Sequence, residues 1–332
     1  MDKLMIHAVA GAGKTSSLLE QLNSEKRVAV ITYTQANQET LRRKLIKKFG
    51  HFPNNIHIFG LFEFLYGFCY RPLQSKHPLN GICFDRPPMF LKGYHNSSGQ
   101  IYSNQLSRFL LLEKLPYLER IDYFFDHLYI DEVQDLTSDD FDWLMSLSEL
   151  QIPVTLVGDF YQSTFASSRR GNKGRGVFAT YKEYKNRFAK EGYFFDDELL
   201  VASHRCSNSV SSFVTDKLRI KMDSHRQDRT QIKYLEDTKE IKAVLDNDKV
   251  TKLFYQNSNK YSLNCNNWGN SKGLSYSSVC VVLNPTTLKK YPDNLHTLAT
   301  QTLRKFYVAC TRTEGDLYFI DQRKIPDDYR KY

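Results

Sequence analysis

Short apolar runs alternate with amphipathic stretches along most of the chain. In the first part, apolar runs predict buried strands at about residues 4–9, 27–32, 127–131 and 153–158. Apolar residues at helical spacing predict helices between them, at 14–23, 36–49, 104–115 and 138–148. A second set of strands is predicted near 198–202, 250–255, 278–283 and 316–320, with helices near 206–217 and 296–310. This alternation predicts an α/β fold with helices on both faces of parallel sheets.

Composition agrees with a soluble globular protein. The chain has 332 residues, enough for two ordinary domains, with 41% hydrophobic and 25% charged residues. No apolar run reaches the roughly 20 residues that a membrane span needs. The N-terminal residues lack the charged, apolar and cleavage-site succession of a signal peptide. We therefore expect a cytoplasmic protein without a membrane partner.

The cysteines and the net charge change this picture only slightly. The six cysteines are far apart and form no CxxC pair, so we expect reduced thiols rather than disulfides or a zinc site. They are Cys69, Cys83, Cys206, Cys265, Cys280 and Cys310. A net charge of +9 is compatible with a polyanionic partner but does not by itself require one.

The stretch His7–Ser17, HAVAGAGKTSS, fits the strand, glycine loop and helix that bind nucleotide phosphates, with Ala8 in place of the first glycine. Its glycines let backbone N–H groups turn inward, and Lys14 can reach the β- and γ-phosphates. The hydroxyl of Thr15 would ligate Mg²⁺. The predicted cofactor-binding residues are Ala10, Gly11, Ala12, Gly13, Lys14, Thr15 and Ser16. An ordinary glycine- and alanine-rich turn is the alternative.

Two adjacent carboxylates follow the apolar run His127–Ile130. At the end of a parallel strand, Asp131 would lie beside the phosphate loop and hold the metal through water. Glu132 would then orient and deprotonate the attacking water. A solvated turn is the usual explanation of an Asp-Glu pair, but a preceding strand and a phosphate loop in the same chain favour catalysis.

Six further segments occur in a characteristic order. They are Val30–Leu45, Ile58–Phe68, Val154–Phe165, Leu199–Val210, Asn266–Leu283 and Lys305–Ile320. Together with the loop and the DEVQD sequence, they resemble the motifs of UvrD/Rep-like superfamily 1 helicases, from about residue 4 to about residue 320. The resemblance implies two RecA-like P-loop NTPase domains, at 1–190 and 191–332. It also implies a short insertion at about 72–125 and no large insertion in the second domain.

The resemblance assigns further residues to ATP. Gln162 takes the position that senses the γ-phosphate, while Arg205 and Arg312 match the two arginines that reach it across the domain cleft. Lys272 and Gly273 match a KGLE segment, in which Ser275 replaces the glutamate near the ribose. None of the six residues before His7 is a glutamine, so the family's adenine-reading residue is missing and ATP preference over GTP stays open.

Other positions match residues that contact DNA. They are Thr32, Tyr33, Thr34, Phe165, Trp268 and Lys272. Tyr33 and Phe165 would stack on bases, although Tyr33 fits a plain strand tyrosine as well. Trp268 is a candidate for stacking or for packing. Ser167 stands where the family has a tryptophan, and the phenylalanines of Ile58–Phe68 are expected in the core.

Basic residues crowd two places. One group follows Tyr33 on a predicted helix and comprises Arg42, Arg43, Lys44, Lys47 and Lys48. The other follows Phe165 and comprises Arg169, Arg170, Lys173 and Arg175. Either group is a solvated face or a phosphate-binding surface, and the second adjoins a predicted DNA contact.

These observations predict an Mg²⁺- and ATP-dependent translocase or helicase on single-stranded DNA, moving 3′ to 5′ as the resemblance implies. It would be a DNA-dependent ATPase. The alternative is an ATP- or DNA-gated sensor subunit of a partner such as a nuclease, in genome defence or a mobile element, with little or no unwinding. The small size and the missing insertion favour that alternative more than the motifs do.

Overall fold

The computed structural model describes residues 2–23, 25–77, 79–88, 93–165, 167, 173 and 176–331. The chain forms two compact units. The first unit comprises Met1–His7, Lys14–Phe160 and Phe165–Asp196, and the second comprises Ala8–Gly13, Tyr161–Thr164 and Asp197–Tyr332. The phosphate loop before Lys14 and the segment around Gln162 therefore group with the second unit.

Eight strands begin in the first part of the chain. They are β1 (Lys3–Ala8), β2 (Val28–Thr32), β3 (Ile56–Gly60), β4 (Ile82–Cys83), β5 (Ile101–Tyr102), β6 (His127–Ile130), β7 (Val154–Gly158) and β8 (Phe194–Leu200). The helices are α1 (Lys14–Gln21), α2 (Gln35–Phe49), α3 (Ser103–Leu112), α4 (Tyr117–Phe124), α5 (Asp139–Ser146) and α6 (Tyr181–Lys190). A π-helix spans Glu63–Tyr70.

Six of these strands form the main sheet, in the order β3-β2-β6-β7-β1-β8. Every residue of β2 and β7 is buried, as expected for strands covered on both faces. The strands β1, β2, β6 and β7 pair in parallel, with Ile31 opposite Ile130 and His7 opposite Gly158. This register puts the residues that follow these strands at one edge of the sheet, where ligands bind in open α/β sheets.

Local signals explain how α2 is placed at this edge. The hydroxyl of Thr34 accepts a hydrogen bond from the N–H of Asn37, which caps the helix N-terminus. The helix ends at Gly50, whose φ of 79° is left-handed and whose N–H donates to the carbonyl of Ile46. The helix is thus fixed at both ends, and it begins two residues after Tyr33, which itself follows the last residue of β2.

The second unit contains another parallel sheet, in the order β11-β15-β14-β12-β13. Its strands are β11 (Ile232–Tyr234), β12 (Val250–Phe254), β13 (Cys265–Asn267), β14 (Ser278–Leu283) and β15 (Leu317–Asp321). A separate parallel pair is formed by β9 (Ala202–Ser203) and β10 (Asp223–Ser224). The helices are α7 (Asn208–Phe213), α8 (Thr238–Asp246), α9 (Pro285–Leu288) and α10 (Thr300–Cys310).

The predicted α/β class with parallel sheets is confirmed, but one strand was assigned to the wrong sheet. The strand predicted near 198–202 was placed with the second set, whereas β8 lies beside β1 in the first sheet. The N–H of Val9 donates to the carbonyl of Leu200 at 2.9 Å, which continues this pairing past the end of β1. The predicted domain limits at 190 and 191, and the insertion at 72–125, stay predictions.

Two whole-chain expectations concern cysteines and membranes. All six cysteines are free thiols, five of them buried. Of the helices within the described residues, none combines the length and the apolar character needed to cross a bilayer.

Candidate nucleotide and nucleic-acid site

The glycine loop has the backbone that its sequence predicts. Gly11 and Gly13 have φ values of 75° and 82°, in the left-handed region that favours glycine. The N–H of Ala10 donates to the hydroxyl of Tyr307 at 2.9 Å, and the N–H of His204 donates to the carbonyl of Gly11. Ala10 and Ala12 are buried. The loop is therefore held by α10 and by the residues that follow β9.

Gly11 also allows the segment of Ser203 and Arg205 to lie close to the glycine loop. A Cβ at this position would lie 2.6 Å from Oγ of Ser203 and 2.8 Å from Cβ of Arg205. Both separations are shorter than ordinary van der Waals contact. A Cβ at Gly13 would lie 3.4 Å from the ring of His204. Only a glycine at residue 11 thus leaves room for the segment that carries Arg205.

Lys14 faces the candidate catalytic carboxylate within the first unit. Its Nζ lies 3.7 Å from Oε1 of Glu132, and both side chains are mostly buried. Glu132 has a left-handed φ of 56°, a strained conformation for a residue with a Cβ. Gln134 Nε2 donates to Oε2 of Glu132, and Gln134 Oε1 accepts from the N–H of Asp159 at 3.0 Å. The carboxylate is thereby oriented by a side chain tied to the end of β7.

The residues predicted to bind Mg²⁺ line one small cavity. Thr15 and Asp131 both border a space of about 30 Å³, together with Thr32 and Asn37. Among the described residues, the buried hydroxyl of Thr32 has no hydrogen-bond partner. No group of three or more potential ligands from Asp, Glu, His and Cys occurs among the described residues. The donor set nevertheless fits Mg²⁺, which usually takes one or two protein oxygens and completes its shell with phosphates and water.

The second unit brings together Gln162, the predicted γ-phosphate sensor, and both predicted arginine fingers. Nη2 of Arg312 donates to Oε1 of Gln162 at 3.3 Å, and both residues are buried. Nη1 of Arg205 donates to the carbonyl of Thr311 at 3.2 Å, next to Arg312 in sequence. Burial raises the pKa of the nearby Cys206 thiol, while the positive charges of Arg205 and Arg312 oppose that rise. Two guanidinium groups therefore share one region with the residue predicted to sense the γ-phosphate.

Two of the predicted nucleic-acid contacts have an accessible ring. Phe165 is 50% exposed. Tyr33 is half-buried, and burial together with the carboxylates of Asp140 and Asp135 raises its pKa. Lys272 is also partly accessible. The neighbouring Gly273 has a left-handed φ of 83°, and no atom of the described part of the chain lies within 4 Å of its Cβ position.

The structure contradicts two of the predicted contacts. Thr32 is only 3% exposed, so its hydroxyl cannot reach a nucleic-acid backbone. Thr34 is exposed and caps α2 with its hydroxyl, and its contact with nucleic acid stays a prediction. Trp268 is fully buried, its Nε1 donates to the carbonyl of Leu253 at 2.8 Å, and its ring packs edge-on against Phe306. A base cannot stack on a ring without an exposed face, so the packing alternative is correct for Trp268.

Some of the other aromatic and basic residues noted in the sequence are also buried or serve packing. Phe64 is fully buried and stacks on Phe68, as the core prediction for Ile58–Phe68 requires. On α2, Lys48 donates to the carbonyl of Leu22, and the guanidinium of Arg42 lies over the ring of Phe52. Part of this basic group therefore serves packing. Lys173 pairs with acidic residues of α5, whereas Arg169, Arg170 and Arg175 lie outside the described residues.

Sequence reasoning missed several residues of this region. Ser203, His204 and Tyr307 contact the glycine loop, and Asp140 binds the loop that follows Phe165. A histidine next to a motif arginine, or a tyrosine within a helix, is too common to indicate a functional residue. The contacts join residues far apart in sequence, so no local pattern could have revealed them.

Comparison with solved structures identifies folds of the same kind. Arterivirus nonstructural protein 10 (helicase) aligns with a TM-score of 0.53 at 13% identity, covering 99% of this chain and 62% of that one. A complex of arterivirus nonstructural protein 10 (helicase) with DNA aligns with a TM-score of 0.53 at 14% identity, covering 99% and 63%. This chain therefore spans about three fifths of these proteins, and at such identities the likeness concerns the fold alone.

Comparison of sequences gives a more specific result. No curated protein matches this chain. Residues 118–321, more than half of the chain, match the family described as viral superfamily 1 RNA helicase core domain. The predicted membership of superfamily 1 is thus confirmed, whereas the narrower UvrD/Rep-like assignment stays a prediction. On this match, the chain belongs to the viral superfamily 1 RNA helicase core domain family.

Proposed function

We propose that this protein hydrolyses nucleoside triphosphates, with ATP as the expected substrate, and uses the reaction to move along single-stranded nucleic acid. The observation that carries the proposal is the 3.7 Å approach of the Lys14 ammonium to the Glu132 carboxylate. Such an approach, at the carboxyl edge of the first sheet, supports a role for Lys14 in binding phosphate and for Glu132 as a general base.

Each charged group would have a separate task in hydrolysis. Lys14 and the loop N–H groups would bind the β- and γ-phosphates, and Thr15 and Asp131 would hold Mg²⁺. The metal would neutralise phosphate charge and so favour attack by water. Glu132, oriented by Gln134, would accept the proton of that water. Arg205 and Arg312 would stabilise the charge that grows on the transferred phosphoryl group.

The link to movement would pass through Gln162. The hydrogen bond between Gln162 and Arg312 joins a predicted γ-phosphate sensor to a predicted arginine finger. Gln162 and Phe165 are three residues apart in the loop that follows β7. A change in the phosphate can therefore reach a ring that stacks on bases, and one such contact contributes about 1–3 kcal/mol.

The finer proposal is a UvrD/Rep-like motor on single-stranded DNA that moves 3′ to 5′. The order of its motifs supports this proposal. The family match is to RNA helicase cores, so RNA has to be tested beside DNA.

The first experiment measures phosphate release from ATP and from GTP, with and without single-stranded DNA or RNA, for wild type and Lys14→Ala. We expect Lys14→Ala to lower turnover by at least about 100-fold, because charge stabilisation of the phosphoryl group is lost. It should still bind a fluorescein-labelled oligonucleotide in an anisotropy titration. Lys239→Ala, on the exposed face of α8, is the control and should match wild type. Turnover retained by Lys14→Ala would show that the site is misassigned.

A sensor or regulatory subunit of a partner such as a nuclease is the second proposal. Between Arg205 and Trp268, the described chain forms α7, β10, β11, α8, β12 and β13, which leaves few residues for a separate subdomain. Displacement of streptavidin from biotinylated single strands separates the two proposals. A motor removes the streptavidin as it hydrolyses ATP, whereas a sensor leaves it bound.

A further inference from the structure

We propose that Asp140 and Ser167 form an anchor that positions Phe165 for stacking on nucleic acid and ties it to the hydrolytic DEVQD segment. The inference rests on the proposed function, since it concerns how the same site responds to nucleic acid. In this hypothesis Ser167 and Asp140 are positioning residues, and neither touches a base or a phosphate.

Asp140 is a buried carboxylate that joins three segments. It lies in the first turn of α5 and is 1% exposed. Its Oδ1 accepts a hydrogen bond from Oγ of Ser107 on α3, and its Oδ2 accepts one from Oγ of Ser167, both at 2.6 Å. A buried charge requires such partners, because losing them leaves it desolvated and uncompensated. The loop after Phe165 is therefore held by a strong interaction.

Ser167 makes two further contacts with the segment that follows Glu132. Its N–H donates to the carbonyl of Asp135 at 2.9 Å, and its hydroxyl accepts from the N–H of Thr137 at 3.1 Å. With the hydrogen bond to Asp140, Ser167 makes three contacts with the chain from Asp135 to Asp140. Any shift of that chain has to move Ser167 with it.

Phe165 is separated from this anchor by a single residue. Two residues of extended chain span at most about 7 Å, so the ring cannot move far from the anchor. The ring itself is half exposed and available to a base.

A second tie strengthens the same loop. Lys173 forms ion pairs with both Asp139 and Asp142 on α5. Asp139 is 1% exposed, so this pairing is partly shielded from solvent. The loop after Phe165 is thus attached to α5 at Ser167 and again at Lys173.

The chemistry of residue 167 supports this role. In the resemblance to UvrD/Rep-like helicases a tryptophan is expected there, and Ser167 has no ring with which to stack. Its hydroxyl instead binds a buried carboxylate. The position would therefore act on nucleic acid through Phe165 rather than by direct contact.

The chain offers a matched control. Ser107 and Ser167 each donate a hydroxyl to Asp140 over the same 2.6 Å, but only Ser167 belongs to the loop of Phe165. If the Asp140 cluster were purely structural, Ser107→Ala and Ser167→Ala would have similar effects. If the anchor positions Phe165, only Ser167→Ala changes the response to nucleic acid.

The experiment compares full-length wild type with Ser167→Ala, Ser167→Thr, Ser107→Ala and Phe165→Ala. One readout is the concentration of single-stranded DNA or RNA that half-saturates stimulation of ATP hydrolysis. The second is the quenching of 2-aminopurine in the same oligonucleotides, which reports stacking. Thermal unfolding of each variant measures the structural cost separately.

We expect Ser167→Ala to raise the half-saturating concentration about tenfold, because a misplaced Phe165 ring loses most of the free energy of stacking on a base. Its 2-aminopurine quenching should fall toward that of Phe165→Ala. Ser167→Thr keeps the hydroxyl and should restore both values, while Ser107→Ala should match wild type in both. Equal effects of the two alanine variants, or none from Ser167→Ala, would overturn the inference. A wild type that responds to neither nucleic acid would instead refute the proposed function.

Discussion

Replacing Gly11 by alanine tests the loop geometry most directly. The residue has a φ of 75°, and a left-handed conformation costs a residue with a Cβ about 1–2 kcal/mol. The new Cβ would also lie 2.6 Å from Oγ of Ser203 and 2.8 Å from Cβ of Arg205. Overpacking of this kind costs about 1–3 kcal/mol. Gly11→Ala should therefore lose about 2–5 kcal/mol of unfolding free energy and displace the segment of Arg205.

Gly50→Ala is the matched control. Gly50 has nearly the same φ, 79°, but none of the residues that the structure describes lies within 4 Å of its Cβ position. It should lose only the conformational cost, about 1–2 kcal/mol. The difference between the two variants then isolates the close approach at Gly11.

The assay combines urea unfolding with nucleotide binding and turnover. Gly11→Ala should bind a fluorescent ATP analogue weakly and hydrolyse ATP slowly, whereas Gly50→Ala should keep both activities. If the two variants lost the same stability and both retained ATP hydrolysis, the contact of Gly11 with the Arg205 segment would not matter.

Two further predictions concern stability. Burial lowers the pKa of His127 to about 4, so the unfolded state binds the proton more readily between pH 6.5 and pH 4, and stability should fall as the pH falls through that range. Between pH 7 and pH 5 we expect the free energy of unfolding, measured with urea, to fall by about 1–2 kcal/mol after allowance for partial exposure. The fall should be smaller for His127→Gln, whose side chain does not titrate. Trp268→Ala should cost about 3–5 kcal/mol of unfolding free energy because the indole is fully buried. In the folded fraction, 2-aminopurine quenching should stay that of wild type, and a specific loss of quenching would restore a stacking role for Trp268.

Much of the first sheet could be predicted because its strands carry a local signal. The strands β1, β2, β6 and β7 are contiguous apolar runs, as buried parallel strands usually are. The observed bounds, such as Val154–Gly158 for a strand predicted at 153–158, differ by a residue or so. Short strands such as Ile232–Tyr234 and Cys265–Asn267 were not predicted, because three residues have no measurable period.

Contacts between distant residues could not be predicted from the sequence. β8 joins the first sheet by pairing with β1, although almost the whole sequence of the first unit separates the two strands. Thr32 and Trp268 match motif positions that contact nucleic acid, yet packing buries both side chains. Exposure depends on which elements cover a residue, and a motif does not contain that information.

The sequence by itself determined the superfamily and the α/β class, and it predicted the residues of the phosphate loop and the paired carboxylates. Such motifs are short and local, because one turn of backbone and its adjacent side chains make the phosphate site. The tertiary structure alone decided that Arg312 meets Gln162 and that Asp140 holds Ser167, across 150 and 27 residues. Those pairs form only when folding brings distant segments together, so no local sequence pattern indicates them.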